Sequence, residues 1–382
     1  MGLGYVDLLS LSFGISCSDH VIYPWVPCIR VHAYGRLRQQ TPAFLGTRDN
    51  MSVSTTSVSK SVVAASQGAT KLPNPLALSV LGQGAWGTAL ARLAKYNSHQ
   101  VTTWSRSGEL SLAEATAKAD VILSAISMKG VSALAQQLNQ CAIPQQAIIV
   151  TATKGLDPAT TQTPSQIFSS VFPGHAIAVL SGPNLSQEIE HGLPAATVLA
   201  STNAAAATVV QRLFSSEQFR VYTSSDPLGA ELGGTLKNVI AIAVGVCDGL
   251  NLGTNAKSAL ITRALPEVIR IGMRLGAAEV ETFYGLSGLG DMLATCSSQL
   301  SRNYRVGYGL AQGCTLDEVL ANLGGTAEGV NTAHVLIDIA NRDGILAPIS
   351  RQVDRLLRGR ITPQAAVEAL MERELKPESC DV

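Results

Sequence analysis

The sequence predicts an α/β fold, a doubly wound and mostly parallel sheet, followed by an all-helical C-terminal domain. Three observations carry that expectation. Between Pro75 and Ser225 short apolar runs alternate with helix-compatible stretches; beyond Pro227 the β-branched runs cease and apolar residues recur at helical spacing; and a glycine-rich turn joins the first run to the first helical stretch. Runs that are apolar on both faces suit a parallel sheet, because its crossover helices cover both sides.

The runs in order are LALSVLG, VTTWSR, VILSAIS, AIIVTATK, AIAVLSGP, AATVLAS and FRVYTSS. Each is short and rich in β-branched or small apolar residues, as a buried strand requires. The segments GGTLKNVIAIAVGVCDGL, AKSALITRALPEVIRIGMRLG and GVNTAHVLIDIANRDG then read as helices, with Pro266 at a helix start or a kink. We expect a dinucleotide-binding domain over 74–226 and a helical substrate domain over 227–382. Residues 1–73 differ: they show no sustained period, a Ser/Thr-rich stretch at 51–67, and six basic against three acidic residues. They are expected outside the fold, as a disordered extension, a plastid-type presequence, or a start set too far upstream of Met51 or a nearby codon.

Composition removes several function classes. Twenty-eight basic residues balance 28 acidic ones, so no global field draws in nucleic acid or an anionic membrane. No uninterrupted apolar run reaches the roughly 20 residues of a membrane span. The seven cysteines are odd in number and form no CxxC pair, which suits reduced thiols in a cytoplasmic compartment. Cys247 and Cys296 read as small buried hydrophobes. The six histidines show no ligand spacing such as HxxxH, so no metal is expected.

The glycine turn is Gly82, Gly84 and Gly87, followed by AWGTALARLAKY. Alone the spacing is a weak signal, but a strand before it and a helix after it supply the required context. Gly82 permits the tight turn, Gly84 lets backbone approach a pyrophosphate, and Gly87 lets the helix pack close to the strand. About 20 residues on, an NAD-preferring site places an acid for the ribose 2′-hydroxyl. Ser105, Arg106 and Ser107 stand there instead, which suits the 2′-phosphate of NADP(H). The alternative is that Arg106 is a solvated strand end.

Together GQGAWGTALA, TATKGL, SGPNLSQEI, GAELGGTLKNVIAIAVGVCDGL, GLSGLGDMLATCSSQLSRNYRVG and TAEGV resemble the NAD(P)-dependent glycerol-3-phosphate dehydrogenases of bacterial type, from about residue 78 to 370. The resemblance implies a Rossmann domain before a helical one, NADP(H) or NAD(H) as cofactor, and reduction of dihydroxyacetone phosphate to sn-glycerol 3-phosphate for glycerophospholipid synthesis. It implies Lys237 as general acid and base, and Lys154 as a second cation touching substrate and cofactor. Gly182, Asn184, Asn238, Asp291, Thr295, Ser301, Arg302 and Asn303 fall on substrate-side positions. Trp86, Ser186, Arg302 and Glu328 join the glycines and Arg106 on the cofactor side. Without the resemblance, Ser301 and Asn303 read as a helix cap and the lysines as surface residues.

Three departures from the family pattern stand out. Ala85 and Asn184 replace the usual serines. Only 13 residues separate Arg106 from Asp120, so a strand and helix of the usual cofactor domain are expected to be trimmed or absent. A reductase of another small keto or hydroxy acid, or a dinucleotide sensor without turnover, are the alternative functions. A homodimer is left open as the assembly, and the plastid as an alternative to the cytoplasm.

Overall fold

The computed structural model describes residues 75–375, 377 and 378, and the expectations on residues 1–73 lie outside the described residues. Seven strands form one sheet: β1 (Ala77–Leu81), β2 (Gln100–Trp104), β3 (Val121–Ser124), β4 (Ile148–Thr151), β5 (Ile177–Ser181), β6 (Ala195–Ala200) and β7 (Phe219–Ser224). Their order is β2-β1-β3-β4-β5-β6-β7. Every residue of β3 and β4 is buried, which is why those runs carry no polar alternation. All pairings are parallel except β5 with β6, where Val179 faces Ala200. Their connection holds only a five-residue helix, short of the helix that a parallel crossover uses.

Six helices flank or connect the strands: α1 (Ala85–Tyr96), α2 (Leu112–Thr116), α3 (Val131–Asn139), α4 (Pro164–Val171), α5 (Ser186–Glu190) and α6 (Ala204–Phe214). Local chemistry starts several of them. Thr163 and Gln166 form a reciprocal capping box with Pro164 in the first turn of α4, and the Asn203 side chain accepts from Ala206 N–H to start α6. The short β2–β3 connection takes the form expected of it. It contains α2 alone, one and a half turns begun by a Ser111–Glu114 capping box, and β2 is left as the sheet edge.

After β7 the chain is helical: α7 (Pro227–Gly249), α8 (Gly253–Arg274), α9 (Glu281–Tyr284), α10 (Asp291–Ser297), α11 (Arg302–Ala311), α12 (Leu316–Ala321), α13 (Glu328–Asp343), α14 (Pro348–Leu357) and α15 (Pro363–Met371). Pro266 lies inside α8 and does not begin it. Asp226 caps α7, accepting from Gly229 N–H at 2.8 Å, and also receives the Thr282 hydroxyl at 3.0 Å. By length and composition α7 could cross a membrane, but it is almost wholly buried as the core helix of this half. Its neighbour α11 comes close enough that a Cβ on Gly245 would fall 2.1 Å from the Tyr304 carbonyl oxygen, and one on Gly307 1.9 Å from that of Ile242. Those contacts bring the start of α11 to the middle of α7.

Candidate active site

The glycine turn, the Arg106 loop, the Ser127 loop, Lys154 and Gly182 follow the C-terminal ends of β1, β2, β3, β4 and β5 respectively. The chain steps from β1 to β2 on one side and then to β3 on the other, so the crevice between β1 and β3 is a topological switch point, where open α/β sheets take ligands. Gly82 has φ +119°, and its missing Cβ would lie 2.5 Å from the Ala125 carbonyl oxygen beyond β3. Gly87 is needed for a different reason. A Cβ there would lie 2.0 Å from the carbonyl oxygen of Gly82, so helix and turn touch through backbone. At Gly84 a Cβ would meet nothing within 4 Å.

Gly84 begins α1 without a capping side chain, and no acidic residue stands in the first turn. The open space, the amides and the positive end of a twelve-residue helix therefore fit a dinucleotide pyrophosphate. Trp86 is half-buried against the core below the turn, and Ser186 opens α5, which packs beside α1. Arg106 is exposed beyond β2, with no hydrogen bond or ion pair among the described residues.

Three distant segments meet around Asp291. Lys154 from the β4 loop is hydrogen-bonded to Asp291 Oδ2 and donates to the Gly182 carbonyl at 3.3 Å. Lys237, buried on α7, donates to Asp291 Oδ1 at 3.0 Å and to the Thr295 hydroxyl. Thr295 in turn lies 3.3 Å from Asp291 Oδ1, one turn along α10. One carboxylate thus serves two ammonium groups, each on its own oxygen, leaving one positive charge in excess. Burial lowers the Lys237 pKa from 10.5 to about 8; the Asp291 charge opposes this and the Lys154 charge adds to it. A lysine with a pKa of about 8 can both give and take a proton near neutral pH.

Ser181 Oγ and Asn184 Oδ1 are buried beside this region without hydrogen-bond partners among the described residues. Asn184 spends its amide on Thr197 at 3.0 Å. Asn238 follows Lys237 on α7 and is buried. The Ser301–Arg302–Asn303 stretch divides its labour. Ser301 caps α11 by accepting from Tyr304 N–H at 3.2 Å, and Asn303 accepts from Gly329 N–H at 3.0 Å. Ser301 is thus the cap its residue type suggests, whereas Asn303 lies within α11 and holds the start of α13 instead, and of the three only Arg302 presents an exposed charge. Its guanidinium lies over Gly325, where a Cβ would fall 2.4 Å from Nη1. Glu328 is within its electrostatic reach and accepts weakly from Met128 N–H at 3.4 Å, which ties the start of α13 to the β3 loop. Burial raises the Glu328 pKa.

Known proteins bring the chemistry of this site into focus. Sequence profiles described as NAD-dependent glycerol-3-phosphate dehydrogenase match residues 77–112 and 107–207 for the N-terminal part and 226–368 for the C-terminal part. The chain belongs to the NAD-dependent glycerol-3-phosphate dehydrogenase family. The two N-terminal matches meet in the β2–β3 connection, where the crossover is reduced to α2. A glycerol-3-phosphate dehydrogenase, NAD(P)+, of Acaryochloris marina is 65% identical over 306 residues, covering 80% of this chain and 98% of the relative. Its Synechocystis counterpart is 63% identical over 304 residues, covering 80% and 96%. The crystal structure of glycerol-3-phosphate dehydrogenase from Coxiella burnetii aligns with TM-score 0.75 at 31% identity, over 78% of this chain and 99% of that one. The dehydrogenase is an oxidoreductase that uses NAD(P).

Sequence reasoning passed over Glu231 and Thr235, both buried on α7 just before Lys237. A signal was present. They are polar residues four apart, on one face of a helix that is mostly apolar.

Proposed function

We propose that the dehydrogenase reversibly reduces dihydroxyacetone phosphate to sn-glycerol 3-phosphate, with Lys237 as general acid in that direction and general base in the other. The observation that carries the reading is the Lys237–Asp291–Lys154 cluster at the carboxyl ends of β4 and β5, in which Lys237 and Asp291 are buried and Lys154 is half-buried. Lys237 holds a proton for the carbonyl oxygen. Lys154 stabilises the alkoxide that develops there, and Asp291 and Thr295 aim the Lys237 ammonium. Arg302 takes the substrate phosphate or the adjoining cofactor phosphate, with Ser301 and Asn303 fixing the helix start that presents it. Asn184, Asn238 and Gly182 line the substrate side.

Gly82, Gly84, Gly87, Trp86, Arg106, Ser186 and Glu328 are proposed to hold the nicotinamide dinucleotide, with residues 74–226 as its domain and 227–382 as the substrate domain. That cofactor supplies the hydride. The assembly stays open between monomer and homodimer, which light scattering distinguishes. The cytoplasm is the assigned compartment, with the plastid as the alternative should residues 1–73 act as an address. Microscopy of the full chain carrying a C-terminal fluorescent tag tests that assignment. The reaction itself is tested by NADPH oxidation with dihydroxyacetone phosphate against unphosphorylated dihydroxyacetone. Turnover should require the phosphate, because its binding orients the carbonyl. Equal turnover of the two ketones would remove the substrate-phosphate role of Arg302 and leave it the cofactor phosphate.

A further inference from the structure

The two lysines belong to segments that do not share a secondary-structure element, so something must set their separation. Lys154 sits in the loop between β4 and α4; Lys237 sits near the middle of α7. Their shared partner Asp291 cannot do this alone, since long lysine stems accommodate a shift of the backbone beneath them. Two buried side chains on α7 grip the Lys154 loop directly. Thr235 Oγ1 accepts from the N–H of Gly155, the residue next to Lys154, at 3.0 Å, and Thr235 is fully buried. One turn earlier on α7, Glu231 accepts from Ser165 N–H at 3.0 Å and from the Ser165 hydroxyl at 2.5 Å, at the start of α4.

The loop is therefore held at both ends by one face of the helix that carries Lys237. The neighbouring position shows how closely they fit. A Cβ on Gly234 would fall 2.5 Å from Ser181 Oγ and 3.1 Å from Lys154 Cε, so the Lys154 stem lies directly against the α7 backbone. On the adjoining side a Cβ on Gly233 would fall 2.9 Å from the Ser287 carbonyl oxygen, in the turn that leads into Asp291. A hydrogen-bonded ring results: Lys154, Gly155, Thr235, α7, Lys237, Asp291 and back to Lys154.

We propose that Thr235 is a positioning residue that sets the distance between the two ammonium groups through the Gly155 N–H, with Glu231 anchoring the far end of the same loop. The proposal rests on the reading of Lys237 as proton donor. Lys237 faces Asp291, Thr295 and Cys296 from α10 and Lys154 from the loop; burial and the Lys154 charge lower its proton affinity, while Asp291 raises it. Releasing the loop lets Lys154 move away, which weakens the repulsion between like charges and raises the Lys237 pKa.

The test uses the full-length enzyme and four measurements: kcat for dihydroxyacetone phosphate reduction across pH, KM for that substrate, NADPH affinity and Tm. Thr235→Val removes the acceptor at nearly constant volume, and Thr235→Ala removes it with no possibility of a clash in a helix that favours alanine. Both are expected to lower kcat about tenfold or more, as small misplacements of reacting groups do. The reduction profile should move to higher pH, with NADPH affinity within about twofold of the parent. Thr235→Ser keeps the acceptor and should restore both kcat and profile. Glu231→Gln should show the same pattern at smaller amplitude.

Glu267 supplies the control. It is an equally buried carboxylate that receives Ile349 and Ser350 N–H groups at the start of α14, away from the lysines. Glu267→Gln should change Tm alone. An unmoved kcat and profile in both Thr235 variants, or a serine variant no better than alanine, overturns the role of Thr235. A Glu231→Gln effect confined to Tm, matching Glu267→Gln, overturns the role of Glu231. Lys237→Met is measured alongside. If that variant retains turnover, the proton-donor reading has failed; if it is inactive while Thr235 variants are normal, only the positioning proposal has failed.

Discussion

At the glycine turn the groups aimed at a ligand are backbone amides: α1 begins at Gly84 with no capping side chain, no acid in its first turn, and open space above. At the lysine cluster they are side chains, two ammonium groups sharing one buried carboxylate. The turn needs room and a helix dipole, which six neighbouring residues supply. The cluster needs two like charges held together, one of them out of water, which no single segment can do. Lys154 and Asp291 stand 137 residues apart in the chain, and Lys237 and Asp291 stand 54 apart. The difference teaches that an anion site made of backbone is a local property, whereas a tuned acid is a property of the fold.

The sharpest way to break this comparison is Lys237→Met, which retains the stem and removes the proton. We expect kcat to fall by about 10²–10⁴-fold, with NADPH affinity and Tm little changed. Stopped-flow turnover and cofactor titration on one preparation check it. Should turnover survive, Lys154 becomes the proton donor.

The second effect is pH dependence. With Lys237 in its proposed role, reduction uses the protonated amine, so kcat for dihydroxyacetone phosphate should fall as pH rises through about 8, while oxidation of glycerol 3-phosphate rises through the same value. Stability has its own sign. The folded pKa lies below the ordinary 10.5, so between about 8 and 10.5 the unfolded chain binds more protons at this site, and Lys237 contributes stability that increases with pH across that window. Parallel rate profiles in the two directions would detach this lysine from the chemistry. A Lys237→Met variant should lack both dependences.

A pair of alanine substitutions sharpens the other half of the comparison. Gly87→Ala must displace the turn, since its Cβ would lie 2.0 Å from Gly82 O, and overpacking of this kind costs about 1–3 kcal/mol. Gly84→Ala meets no protein atom within 4 Å and should lower Tm less than Gly87→Ala, through the poorer N-cap alone, yet weaken NADPH about tenfold by occupying the pyrophosphate's approach. Calorimetry and fluorescence titration separate the two. Equal loss of Tm in both variants would show that the space above Gly84 has no ligand role.

The smallest effect expected is in cofactor choice. Arg106 is exposed with no partner among the described residues. Arg106→Glu should weaken NADPH relative to NADH, and about tenfold marks the lower limit, one charge-assisted hydrogen bond being worth roughly 1.5–3 kcal/mol. Parallel changes in the two affinities would make Arg106 a solvated strand end.

Much of the molecule was legible before its structure. Seven apolar runs became seven strands, and the switch to helical spacing after Pro227 coincides with the start of α7. The lysines, as bare residues, were indistinguishable from surface ones, and the motifs resembling a family brought them forward. Ser301 shows the converse, since its residue type already suggested the cap that the structure displays, while the bond of Asn303 to the start of α13 is a tertiary contact. Glu231 and Thr235 stayed hidden, because a polar residue in an apolar helix does not announce which neighbour it will meet.

By itself the sequence determined what depends on near neighbours: strand and helix periods, capping boxes, and a turn in which Gly87 is required by the backbone of Gly82 five residues before it. Tertiary structure alone decided the antiparallel β5–β6 pairing, the burial of a lysine beside a second one, and the hydrogen bond from Gly155 to Thr235. The physical reason is range. Propensity and capping act over about one helical turn, whereas desolvation and the interaction of buried charges depend on everything that excludes water around them, most of which lies far away in the chain.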